Sequence, residues 1–168
     1  MTDTGGFTYN SNNPEIYTII SKLLEKGIDK DKIYRNVFNT YSVDRLRLQG
    51  YILYEKLKFY ADNKASIFTI TRNEMKDFHF IRGDAEGLVN MPLQVKGMRL
   101  SISLREDTEK DDVRVSLRSV DDFPCNKMAE EFFNGGGHLN ASGGELPFPL
   151  EEAVKTTERA IEAYKDML

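Results

Sequence analysis

Two short runs constrain what this chain can fold into more than anything else in it. From residue 98 to 105, apolar Met98, Leu100, Ile102 and Leu104 alternate with Arg99, Ser101, Ser103 and Arg105. From residue 113 to 118, Val113, Val115 and Leu117 alternate with Arg114, Ser116 and Arg118. Successive side chains of a strand point to opposite faces, so a period of two predicts two half-buried strands. The polar turn Glu106 to Asp112 joins them into an antiparallel hairpin. A register that pairs the apolar sets also gathers the polar sets on one face. That face would carry Arg99, Arg105, Arg114 and Arg118 with three serines. Either it is a solvated sheet face or it is a basic wall for phosphate groups. The lack of a single acidic side chain among these seven positions favours the wall.

The flanking segments predict an α/β fold. Asn13 caps a helix that has Pro14 at its first position and Ile16, Ile19, Ile20, Leu23 and Leu24 at helical spacing, with Gly27 as its stop. Asp29 caps a second short helix through Ile33, Val37 and Phe38. Ser42 starts a third, expected to reach about Tyr60 with Leu46, Leu53 and Leu57 as its stripe, and to connect two units. Ala65 to Thr71 reads as a strand, and Thr71 with Glu74 has capping-box spacing for a brief helix. Asp84 can cap another through Leu88 and Val89 to Met91. A helix from Asn126 presents Met128, Ala129, Phe132 and Phe133, and a final helix runs from about Pro149 to Met167.

Charge narrows the ligand classes. Twenty-three Lys and Arg against 27 Asp and Glu give a net charge of −4, so the chain has no global attraction for a long duplex. A polyanion must be held by a local basic site, which suits a small phosphate ester. The single cysteine, Cys125, excludes an internal disulfide and fits a reducing, cytoplasmic home. Residues Met1 to Asn10 are polar and glycine-rich and read as no secretory leader. The apolar runs are too short for a bilayer span.

The stretch Phe133-Asn134-Gly135-Gly136-Gly137-His138-Leu139-Asn140-Ala141-Ser142-Gly143-Gly144 reads as a loop of unusual chemistry. Consecutive glycines let backbone approach a ligand closely, and successive N–H groups can form an anion nest. A helix starting after His138 would add positive potential. His138 can donate to a phosphate oxygen. This stretch resembles the GGGHxxAAG signature of the DHHA1 domain, with Ser142 at the second alanine. Glu86-Gly87-Leu88-Val89-Asn90, Arg105-Glu106-Asp107 and Ser116-Leu117-Arg118-Ser119 resemble that family's EGLVN, RED and SLRS segments, in order and spacing. Asp3-Thr4-Gly5-Gly6-Phe7 resembles the TDTGxF motif that ends the preceding DHH catalytic domain.

The resemblance therefore covers essentially the whole chain. It is to the DHH/DHHA1 phosphoesterases, most closely the group of bifunctional oligoribonucleases (nanoRNases) and pAp phosphatases. It implies a C-terminal piece of such a protein. Residues 1–60 would be the remnant of the DHH domain plus the connector helix. Residues 61–168 would be a DHHA1 substrate-binding domain with a mixed sheet covered by helices. It implies that Arg105, Arg118, Gly136, Gly137 and His138 hold a substrate phosphate and that Asp3 is a manganese ligand. The implied ligands are short oligoribonucleotides, pAp or dinucleotides, and a homodimer is compatible with the family. The Asp-His-His motif and the other aspartate motifs of the two-Mn²⁺ centre are missing. The only histidines, His79 and His138, are not adjacent. Two-metal hydrolysis needs several carboxylate or imidazole ligands. The expectation is a hydrolase parent whose catalytic set is incomplete in this sequence, with little hydrolysis by this chain alone. The rival expectation is a non-catalytic module that binds a nucleotide or an RNA end.

Overall fold

The computed structural model describes residues 4–8 and 11–168. The chain divides into two compact units, Met1–Ser42 and Val43–Leu168.

The first unit carries α1 (Pro14–Glu25) and α2 (Lys30–Phe38). The caps are those the sequence predicts. Asn13 Oδ1 accepts from Glu15 N at 3.0 Å, and Asp29 Oδ1 accepts from Lys32 N at 2.8 Å. Phe7 packs its ring against Tyr17 of α1, with centroids 6.3 Å apart. No residue of either helix is buried.

The second unit is built on a mixed six-stranded sheet. Its strands are β1 (Lys58–Tyr60), β2 (Ala65–Ile70), β3 (Leu100–Glu106), β4 (Asp112–Ser119), β5 (Gly136–His138) and β6 (Ala141–Pro147), in the order β1-β2-β3-β4-β6-β5. β2 and β3 are parallel, and every other pair is antiparallel. The β3–β4 hairpin forms in the register that pairs the apolar sets, with Ile102 opposite Leu117 and Leu104 opposite Val115.

One face of the sheet packs under α5 (Cys125–Phe132) and α6 (Leu150–Ala163). Leu100, Ile102, Leu104, Val113, Val115 and Leu117 meet Met128, Ala129, Ala160 and Ile161 there, all buried. The other face is covered on one side only. Phe68 and Ile70 of β2 pack with Leu48, Ile52, Met75, Leu88 and Val89. These come from α3 (Val43–Tyr51), the π-helical turn after it, α4 (Arg72–Asp77) and the 3₁₀ segment Leu88–Gln94. β2 is thus apolar on both faces, as a parallel strand in mid-sheet must be. Thr71 and Glu74 form the predicted capping box of α4.

Several expectations change. The segment at Leu88 is capped by Gly87 and not by Asp84, whose carboxylate accepts from Ile81 N instead. The third helix ends at Tyr51 and gives way to a π turn at Ile52–Lys56, after which Lys58–Tyr60 pairs as a sheet-edge strand. Its buried stripe is Leu48 and Ile52, four residues apart, while Leu46 is 62% exposed. Those two residues belong to a cluster of the sheet unit, which begins at Val43. The glycine stretch is not a loop leading into a helix. It is the edge hairpin β5–β6, turning at Leu139-Asn140. The last helix stops at Ala163, and a separate 3₁₀ turn follows at Lys165–Met167.

A candidate anion-binding cleft

Directly paired residues of neighbouring strands share a face. The register therefore lays out the polar side of the sheet in rows. Ser103, Ser116 and Gly143 form one row, with Gly136 paired to Gly143. Arg105, Arg114 and Glu145 form the next. Ser101, Arg118, Ala141 and His138 form the row on the opposite side.

The half-covered face leaves a cleft. Its first lobe is a cavity of ≈ 400 Å³ with Ser103, Ser116, Arg105 and Arg114 on its floor and Leu88 and Val89 on its wall. A second lobe of ≈ 530 Å³ shares Arg105, Arg114 and Ala85 with it and extends to Phe80, Arg82 and Thr108.

The two guanidinium groups differ in their partners. Arg114 Nε donates to Asp107 Oδ2, and its Nη1 lies 3.9 Å from Glu145 Oε1. Arg105 has no carboxylate in hydrogen-bond or ion-pair contact among the described residues. Its guanidinium carbon lies 5.4 Å from the Phe80 ring centroid. Burial, and then the like charge of Arg114, pull Arg105 below its ordinary value. A half-buried cation beside a second cation is an electrostatic deficit that an anion removes.

Asp107 offsets that deficit only in part, because its oxygens are engaged elsewhere. Glu109 N and Lys110 N donate to its Oδ1 at 2.8 and 3.2 Å, and Arg114 holds its other oxygen. Those backbone bonds, and then Arg114, bring its carboxyl down to about 2. A carboxyl depressed on folding contributes stability that is fully present above its unfolded value of about 4 and is lost as pH falls through the folded value. Acid titration of the unfolding free energy should show this contribution fading between about pH 4 and about pH 2, and Asp107→Asn should remove that part of the slope.

The predicted site residues fall into two groups. Arg105 lines the cleft. Arg118 and His138 share a row with Ala141 between them, two strand steps or about 10 Å apart. Arg105 belongs to the row of Arg114, four residues along β4 from Arg118, or about 13 Å. Arg105 is therefore not brought to His138. Arg118 is half-buried, has no acidic partner among the described residues, and donates from Nη1 to Leu117 O at 2.8 Å. His138 is exposed, and its carbonyl accepts from Ser142 Oγ at 2.8 Å. Gly136 and Gly137 lie in edge strand β5 rather than in a nest. Gly137 has φ 144°, and a Cβ there would lie 2.6 Å from Ala141 O. Asp3 lies outside the described residues. Among the described residues no three or more His, Cys, Asp or Glu side chains are grouped to hold a metal ion.

Of the four arginines expected on the polar face, the family resemblance gives no phosphate role to Arg99 and Arg114 and leaves them as surface charge. Arg99 is half-buried rather than exposed, and it pairs with exposed Asp122. Arg114 is exposed, as that reading has it, and it also floors both lobes. Its signal was the cross-strand register, which places it opposite Arg105. A cavity of ≈ 480 Å³ on the other face holds Lys56, Lys58 and Lys155. Lys56 is bound to Glu74 and Lys155 to Glu152, which leaves less charge for a ligand. No helix among the described residues is long and apolar enough to cross a membrane.

Comparison with known proteins gives this geometry a context. The DHHA1 domain matches residues 52–165. The chain is 28% identical over 170 residues to the bifunctional oligoribonuclease and PAP phosphatase NrnA of Thermus thermophilus, covering 100% of this chain and 48% of that protein. An exopolyphosphatase-related protein from Bacteroides fragilis has a crystal structure matching at TM-score 0.94 and 60% identity, over 99% of this chain and 48% of that one. A pGpG-specific phosphodiesterase, PggH from Vibrio cholerae, matches at TM-score 0.53 and 13% identity, over 84% of this chain and 44% of that one, a likeness of fold alone. The chain spans about half the length of these relatives.

Proposed function

The chain belongs to the DHHA1 domain family, and from that premise we propose that it is the substrate-holding part of a phosphoesterase acting on short phosphorylated nucleotides. The ligand class is oligoribonucleotides of a few residues, pAp or related dinucleotides. The whole-chain identity to an oligoribonuclease and PAP phosphatase supports that class. The observation that carries the proposal is the cleft floor, where Arg105 stands without a carboxylate partner beside Arg114, Ser103 and Ser116. Guanidinium groups and hydroxyls there can share the oxygens of one phosphate. We assign Arg118, His138, Gly136 and Gly137 to the same ligand at the opposite end of the face.

In the longer parent, manganese would supply a hydroxide nucleophile. The described residues offer no donor set for it, so the role assigned to this chain is binding and orientation. Residues before the sheet unit, including the TDTGxF-like segment with Asp3, are assigned to the end of the catalytic domain.

Calorimetric titration tests this. The 168-residue chain should bind pAp at least about tenfold more tightly than adenosine, with affinity falling as salt rises. Equal affinity for the two would overturn the phosphate site. Incubated with pApA and Mn²⁺, the same chain should release no mononucleotide. Sustained turnover would overturn the binding-only role, and tight binding without any hydrolytic parent would favour a nucleotide-binding module.

A further inference from the structure

The second lobe of the cleft contains a cation that none of the above uses. Arg82 is exposed and has no hydrogen-bonded or ion-paired partner among the described residues. The turn that presents it is tied down from several sides. Ile81 N donates to Asp84 Oδ2 at 2.9 Å, and Asp84 is 5% exposed. Asp84 N returns a bond to Ile81 O at 3.1 Å. Arg45 donates to Gly83 O at 3.1 Å and to Glu86 O at 2.7 Å. Arg82 therefore stands on a braced turn at the rim of a lobe that also contains Arg105 and Arg114. The carboxylates of that lobe are Asp107, whose oxygens are bonded to Glu109 N, Lys110 N and Arg114, and Glu109.

We propose that this lobe is a further phosphate subsite, in which Arg82 and Arg105 hold the outermost phosphate of a short oligonucleotide, so that Arg82 sets the preference for ligand length. The proposal rests on the reading of the cleft as a nucleotide site. Arg105 and Arg114 are shared between the lobes, so a chain crossing the floor lobe meets Arg82 only when it is long enough to enter the second. A one-phosphate ligand is satisfied on the floor and gains nothing from Arg82.

The test is titration of the full chain with pA, pApA and pApApA, for wild type, Arg82→Gln and, as a control on the far face, Lys155→Gln. Wild type should bind the trinucleotide more tightly than pA. Arg82→Gln should bind pA within about twofold of wild type yet lose about tenfold of the gain from pA to pApApA. Lys155→Gln should match wild type, and unchanged thermal midpoints should show that all three chains are folded. An unchanged ratio in Arg82→Gln, or an equal loss for pA and pApApA, would overturn the subsite while leaving the cleft reading intact. Wild type that binds none of the three would overturn both.

Discussion

In urea unfolding, a Gly144→Ala chain is expected to lose about 3 kcal/mol or more relative to wild type. The reason is backbone crowding that no rotamer can relieve. A Cβ built at Gly144 collides with the carbonyl oxygen and carbonyl carbon of Phe133, and one at Gly135 collides with Gly143 O. Phe133 is fully buried at the end of α5, and its carbonyl accepts from Glu145 N at 2.8 Å. Strand β6 and the end of α5 thus touch backbone to backbone, and the helix cannot retreat without opening the core around Met128 and Phe133. Gly50→Ala supplies the opposite sign. That glycine is helical with nothing within 4 Å of an added Cβ, so alanine should stabilise by about 0.5–1 kcal/mol. A Gly144→Ala midpoint equal to wild type would mean that the hairpin is not held this close.

Arg105→Gln should separate binding from stability. We expect affinity for pAp to fall about 100-fold, the loss typical of removing one partner from a desolvated charged pair. We expect stability to hold or rise slightly, because the substitution removes a half-buried charge lying beside Arg114. A purely structural arginine would give the reverse, with stability falling and affinity following it. Arg114 cannot serve for this comparison, since its loss also strips Asp107 of a partner.

The residues show which parts of this molecule a sequence can disclose. The β3–β4 hairpin was legible because seven apolar positions alternate without a break, and a one-residue slip would bury the arginines. The caps at Asn13, Asp29 and Thr71 were legible because each is a local side-chain-to-backbone bond. β5 was not, because Gly136 and Gly137 carry no side chain to alternate, and what holds them in a strand is pairing with β6. β1 is three residues long and exists through β2. The end of the third helix was hidden for a similar reason, since both the π turn and the burial of Leu48 and Ile52 depend on Phe68 and Ile70 of a later strand. At the site, a phosphate role was legible for Arg105 but not for Arg114, although the predicted register set both on the polar face. The role of Arg114 depends on facing Arg105 across the ladder rather than on its own neighbours in sequence. His138 and Arg105 share the face but not a row, a separation that sequence spacing cannot express.

The most direct measurement is a ¹⁵N–¹H correlation spectrum of the chain during titration with pAp. Binding in the cleft should shift the amides of Ser103, Arg105, Arg114, Ser116 and Gly143 together, with Leu150 and Lys155 on the far face unmoved. Shifts confined to that far face, or a spectrum that pAp leaves unchanged, would show that these guanidinium groups do not receive a phosphate.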